Sequence, residues 1–323
     1  VSTLGELGES AVLARIFPRL PHADATLVGP GDDAAVLRAP DGRFVVTTDT
    51  MIHGPDFRLA WSTPHDLGWK AAATNLADVA AMGAAPTALV VALAAPPGTD
   101  VSVLEGIADG LRDACAALAP GCGVVGGDLS SSATLTIAVT AFGDLGGRAP
   151  VLRSGAKPGD VLAVSGRLDL AARGLGLLFD RGVDASGAPD AGRAAALRAE
   201  FPAELEAQLA PSPPLSDGPA AAHGGATAML DVSDGLAIDA RRIAAASGVR
   251  VDVFSAELES PASLEGGEAH ALLATFPPGA VLPGGFRVIG RVEAGEGLSV
   301  DGVPYAARGG WDPYTDSRAA GER

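Results

Sequence analysis

Two hydrophobic periodicities alternate along the first half of the chain. Short β-rich runs at residues 44–48, 87–93, 122–125 and 135–142 predict strands. Between them, residues 63–83 and 101–118 carry apolar positions at helical spacing. The first of these helices is fully punctuated: Thr63 to cap it, Pro64 at its first position, Asp66 in its first turn and Gly83 to close it. It is apolar nearly all round, so it is expected to be buried. At 100° per residue Asp78 falls on the face of Leu67, Ala71 and Met82, with Asn75 beside it. A carboxylate there needs a cation, an Arg or a proton.

After the loop Arg153-Ser154-Gly155-Ala156-Lys157-Pro158-Gly159-Asp160 the pattern resumes. Strands are expected at 161–165, 227–232, 249–254, 271–276 and 286–289, and helices at 168–181, near 215–222, and from Ser233 or Asp234 to 246, where Gly248 ends the last. Asp301-Gly302 predicts a hairpin. The chain therefore reads as α/β (α+β) with two domains, residues 1–148 and 149–323, the first built from two β-α-β passages with neighbouring strands.

Acidic residues recur where these strands are expected to end. Gly29-Pro30-Gly31-Asp32-Asp33 presents two carboxylates in a turn, Asp49 follows 44–48 beside Thr47, Thr48 and Thr50, Asp128 follows Gly126-Gly127, and Asp231 and Asp234 follow 227–230. Gathered together with Asp78, they would repel one another strongly unless divalent cations neutralised them, so the pattern predicts a metal cluster. Neither a lysine-bearing phosphate loop nor a dinucleotide fingerprint occurs, so metal bridges would have to hold any nucleotide. Gly126-Gly127-Asp128 would let backbone approach a phosphate, and Arg153, with Lys157, would balance charge nearby. His53, His65 and His270 are too scattered to argue a zinc site.

Composition narrows the partners. A formal charge of −16 on 323 residues argues against nucleic acid. No run approaches the ~20 apolar residues of a membrane span, and a cytoplasmic location is the default expectation. Cys115 and Cys122 read as ordinary thiols. Only two lysines occur, Lys70 and Lys157.

Taken in order, Gly31-Asp32-Asp33, Thr48-Asp49-Thr50, residues 75–84, Gly126-Gly127-Asp128, residues 153–160, Asp231-Val232-Ser233-Asp234-Gly235-Leu236 and Gly266-Gly267-Glu268 resemble the thiamine-monophosphate kinase family of the aminoimidazole-ribonucleotide-synthetase-like superfamily. The resemblance implies ATP-dependent phosphorylation of thiamine monophosphate to thiamine diphosphate with several Mg²⁺ ions, by direct in-line transfer. It implies Asp33, Thr47, Thr48, Asp49, Asp78, Asp128, Asp231 and Asp234 as metal ligands, and Gly127, Asp128, Arg153 and Ser233 as ATP contacts. Asp33, Asp49, Asp78, Asp128 and Arg153 would carry catalysis, and Asp56, Glu268 and Trp311 would line the thiamine-phosphate pocket. It also implies a homodimer in which the N-terminal ATP- and metal-binding sheets pair into a barrel. The family's Gly-Gly-Glu-Asp stands here as Gly266-Gly267-Glu268-Ala269 and the connection over 249–265 is short. The alternative is therefore an ATP- and Mg²⁺-binding relative that acts on another phosphorylated metabolite or has lost turnover.

Overall fold

The computed structural model describes residues 2–7, 9–29 and 35–310. Its architecture is two-domain α/β, with a mixed sheet in each domain. Two short helices, α1 (Leu4–Leu7) and α2 (Glu9–Ile16), and a ribbon of β1 (Thr26–Val28) with β2 (Val36–Leu37) precede the first sheet. That sheet comprises β3 (Val45–Ile52), β4 (Ala85–Ala95), β5 (Gly123–Ser131) and β6 (Thr136–Asp144) in the order β3-β6-β4-β5. Helices α3 (Pro64–Ala81) and α4 (Val101–Leu118) cover it. The α4 crossover joins neighbouring parallel strands as expected, whereas α3 joins strands separated by β6, which pairs antiparallel with both.

The punctuation of α3 is realised in full. Thr63 and Asp66 form a capping box and Pro64 opens the first turn. With Leu67, Leu76 and Val79 at 0–1% exposure, the helix is buried along most of its surface. Its crossing with α4 is close enough to exclude a side chain: a Cβ on Gly68 would lie 1.9 Å from the Ile107 carbonyl oxygen, and one on Gly110 would lie 2.0 Å from that of His65.

The second domain holds β7 (Val161–Ser165), α5 (Leu170–Arg181), α6 (Ala191–Glu200), α7 (Pro202–Leu209), α8 (Asp217–His223), β8 (Ala228–Val232), α9 (Leu236–Ser247), β9 (Arg250–Val253), α10 (Ala262–Glu265), β10 (Ala271–Phe276), β11 (Arg287–Glu293), β12 (Gly297–Val300) and β13 (Val303–Pro304). Its seven strands run β13-β12-β9-β11-β7-β10-β8. The hairpin at Asp301-Gly302 forms with positive φ at both residues. Gly248 closes α9 in the left-handed conformation, but Ser233 and Asp234 do not start it; Gly235 is its N-cap. Among the described residues no helix is long and apolar enough to cross a membrane.

The α3–α4 crossing yields a stability test. Gly110→Ala forces a methyl group into backbone and should cost about 2–3 kcal/mol, read as a lower urea midpoint. Gly98→Ala, whose Cβ meets nothing within 4 Å, should leave the midpoint in place.

Candidate functional site

Strand β3 runs straight through the residues expected at its end. Thr47, Thr48 and Asp49 lie mid-strand on an edge of the first sheet, where polar side chains are tolerated. Thr47 Oγ1 donates to Asp78 Oδ2 at 3.0 Å, and the Asp49 N–H donates to Asn75 Oδ1 at 3.1 Å. Both bonds tie β3 to the face of α3 that carries Asp78. Thr48 turns to the neighbouring strand, donating to the Val139 carbonyl at 3.0 Å.

The second domain completes this site. Asp231, buried in β8, lies 3.4 Å from His270 Nδ1, and Asp234 is paired with Arg242 at 2.6 Å. A cleft of about 620 Å³ opens between the domains, lined by Thr47, Asp78, Arg153 and Asp231 together with apolar groups such as Phe44 and Met82. Arg153 thus faces the same space as two of the acids.

Electrostatics register the crowding. Burial first, then Asp231 and Asp49, push the Asp78 carboxyl up to about 7, against the pull of the Thr47 hydroxyl and of His270. Asp49 is raised by burial and by Asp231 and Asp234. Burial would lower His270, but its bond to Asp231 outweighs that and raises it. Asp239, buried beneath Asp234, is pushed up to about 6 by burial, with Arg242 opposing. Carboxylate oxygens that destabilise one another in this way suit a hard divalent cation such as Mg²⁺. Among the described residues no three His, Cys, Asp or Glu side chains are grouped closely enough to hold a metal ion by themselves. The donors fit ions that take one or two carboxylates each and share phosphate oxygens.

One strip of α3 links this cleft to a second group of polar residues. Lys70 Nζ donates to the Gln208 carbonyl at 3.0 Å and to the Glu268 carboxylate, which also accepts from Gln208 Nε2 at 2.6 Å. Burial alone would raise Glu268, but Lys70 outweighs it and holds the carboxyl below its ordinary value. Asp56, which accepts from the Ile52 N–H at 2.7 Å, is raised by burial and by Glu268. Ala269 packs against the second core.

Asp128 is not gathered with the other acids. The Gly-Gly-Asp stretch lies inside β5, not in a turn, and Asp128 aligns through Ala92 and Ala138 with Thr50 on the far edge. Three strand spacings, roughly 14 Å, separate them. Gly127 also has a structural reason to lack a side chain, because a Cβ there would lie 2.0 Å from the Val91 carbonyl oxygen. Ser233 sits in the β8–α9 turn, where its carbonyl accepts from the Glu268 N–H at 2.7 Å. Asp32, Asp33 and Trp311 lie outside the described residues. Lys70, Gln208, Asp239, Arg242 and the contact of His270 with Asp231 were not legible as site residues; the rarity of lysine was the one available signal.

Residues 31–145 match the family model described as AIR synthase related protein, N-terminal domain. The chain is 43% identical over 330 residues to the thiamine-monophosphate kinase of Mycobacterium tuberculosis, covering 97% of this chain and 93% of that one. The fold is similar to the crystal structure of thiamine-monophosphate kinase from Stenotrophomonas maltophilia, with TM-score 0.74, 30% identity and coverage of 92% and 96%. A structure of AaThiL complexed with AMPPCP and TMP matches with TM-score 0.71, 30% identity and coverage of 96% and 98%.

The raised Asp78 has a stability consequence. Its folded pKa of about 7 lies above the ordinary 3.8, so between those values the folded protein keeps a proton that the unfolded chain has lost. Stability must therefore fall as pH rises through that window. Without divalent cations, Tm measured by calorimetry should drop from about pH 5 to about pH 8, and Asp78→Asn should be the more stable protein by roughly 2 °C or more at the upper end.

Proposed function

The chain belongs to the thiamine-monophosphate kinase family, and on that premise we propose that it transfers the γ-phosphoryl group of ATP directly to the phosphate of thiamine monophosphate, giving thiamine diphosphate and ADP. The observation that carries this reading is one interdomain cleft walled by Thr47, Asp78, Arg153 and Asp231. Carboxylates for cations and a guanidinium for phosphate face the same space, as a reaction governed by positioning and charge stabilisation requires.

Asp49, Asp78, Asp231 and Asp234, with Thr47 and Thr48, would hold Mg²⁺; Asp33 joins them in this reading. When bound, Mg²⁺ would neutralise phosphate charge and orient the reacting groups. Thr47 fixes the Asp78 carboxylate by its hydrogen bond, and Asn75 fixes the backbone at Asp49. Arg153, Gly127 and Ser233 are assigned to ATP, and Asp56, Glu268 and Trp311 to thiamine monophosphate. The acceptor is a phosphate oxygen that is already ionised near neutral pH, so the transfer needs no strong general base. Residues 1–148 would supply the metal side and the pairing surface, and 149–323 would complete the nucleotide and substrate sites.

Assembly belongs to the same proposal. Strands β3 and β5 are the two edges of the first sheet, and Phe44 and Val46 are more than half exposed. Seating β5 of one copy against β3 of another would close an eight-stranded barrel and bring the partner subunit's Asp128 beside Thr48 and Asp49. This supports a homodimer as the working unit.

The reaction is tested by mass spectrometry of protein incubated with ATP, Mg²⁺ and thiamine monophosphate. Thiamine diphosphate and ADP should form only when all three are present; ATP bound without product would point to a different acceptor. Shared sites are tested by mixing inactive Asp49→Asn and Asp128→Asn proteins under conditions of subunit exchange. Because one of the two sites in each mixed dimer is then intact, activity should return to about one quarter of wild type. No recovery in verified mixed dimers would place Asp128 outside the neighbouring site.

A further inference from the structure

We propose that Lys70 is a positioning residue of the acceptor side, reaching from α3 across the domain boundary to fix the Glu268 carboxylate where thiamine monophosphate binds. The inference rests on the kinase reading and deepens it. Lys70 is 8% exposed in a chain with only two lysines, and its ammonium donates to the Gln208 carbonyl and to Glu268. Burying an ammonium is expensive unless acceptors surround it.

Docking of the domains does not require that charge. The adjacent Trp69 Nε1 already donates to the Pro211 carbonyl at 2.7 Å, Arg198 pairs with Asp66 at 2.7 Å, and Trp61 Nε1 donates to the Gly182 carbonyl at 2.7 Å. Beyond one more tether, to the Gln208 carbonyl, the contact with Glu268 is what Lys70 adds.

Two further features converge on the same carboxylate. Gln208 is buried, and while its Nε2 serves Glu268, its Oε1 has no hydrogen-bond partner. Turning the amide over would set an oxygen against a carboxylate, so the unpaired Oε1 is the cost of holding Glu268. The backbone is strained as well: Glu268 has φ 61° and His270 φ 47°, both non-glycine residues in the left-handed region. Hydrogen bonds from their N–H groups to the Ser233 and Val232 carbonyls keep them there. A side chain held from both sides on strained backbone is preorganised. The acids Asp56 and Glu268 offer negative charge to the cationic thiazolium ring, and Lys70 sets the direction of one of them.

Steady-state kinetics of Lys70→Met, Lys70→Arg, Glu268→Gln and the Lys70→Met/Glu268→Gln double variant test this. Lys70→Met should raise KM for thiamine monophosphate about 10-fold or more while KM for ATP stays within about 2-fold, and Lys70→Arg should recover most of the loss. In the Glu268→Gln background, Lys70→Met should add less than about 2-fold, because its route to the substrate is already cut. Trp69→Phe, which removes a tether only, should lower Tm and leave the ratio of the two KM values unchanged. Independent, multiplying effects of Lys70→Met and Glu268→Gln would overturn the proposal, as would equal rises in both KM values. Should Lys70→Met not fold, Gln208→Leu, which removes the other side-chain donor to Glu268, decides the matter: a KM shift confined to thiamine monophosphate supports positioning, and equal rises in both KM values overturn it. A wild-type protein that binds thiamine monophosphate without turnover would sink the kinase reading alone, since the same coupling is then read from Kd by calorimetry.

Discussion

Like charges forced together in an apolar setting are the constraint on which the rest of this structure turns. Asp78 sits on a helix whose other faces are fully committed to the core, and it shares its surroundings with Asp231 from the other domain and Asp49 from the sheet edge. Each is carried by a regular element, Asp78 by α3, Asp231 by β8 and Asp49 by β3. The fold therefore holds an unfavourable arrangement by burying α3, and the repulsion becomes useful because it can be relieved by cations that a phosphate-handling protein needs anyway.

Helix α3 also sets the spacing of the chemistry. Lys70 and Asp78 are eight residues apart on one strip, about 12 Å along the axis. Between them Asn75 secures the backbone of Asp49, and His270 lies within the field of both ends. Helix α3 is anchored at one end to the Glu268 turn and lines the cleft at the other, and so fixes the distance between the two. Both groups of polar residues lie across the domain boundary and share this helix.

Much of the scaffold was legible in the sequence because its signals are local. Thr63, Pro64 and Asp66 announced α3, Gly248 announced the end of α9, and Asp301-Gly302 announced a hairpin; all three depend on neighbours within a few residues. The strand ends were misjudged for a physical reason. Asp49 and Asp128 read as terminators, but both strands lie at sheet edges, where a polar side chain is tolerated and the ladder continues past it. The Lys70 contacts span 138 and 198 residues, and no periodicity reports pairings of that range. Asp234 reads as a helix cap, yet one of its carboxylate oxygens accepts from Arg242, and Gly235 takes the cap position instead.

Strand β3 carries two duties in eight residues. Its outer edge is open to pairing, while its side chains supply Thr47 to Asp78 and its backbone at Asp49 is held by Asn75. Register is the currency common to both: shifting the strand by one residue would exchange its two faces and spoil the site and the edge together. A single-residue insertion or deletion in this strand would therefore strike the cleft and the pairing edge in one stroke.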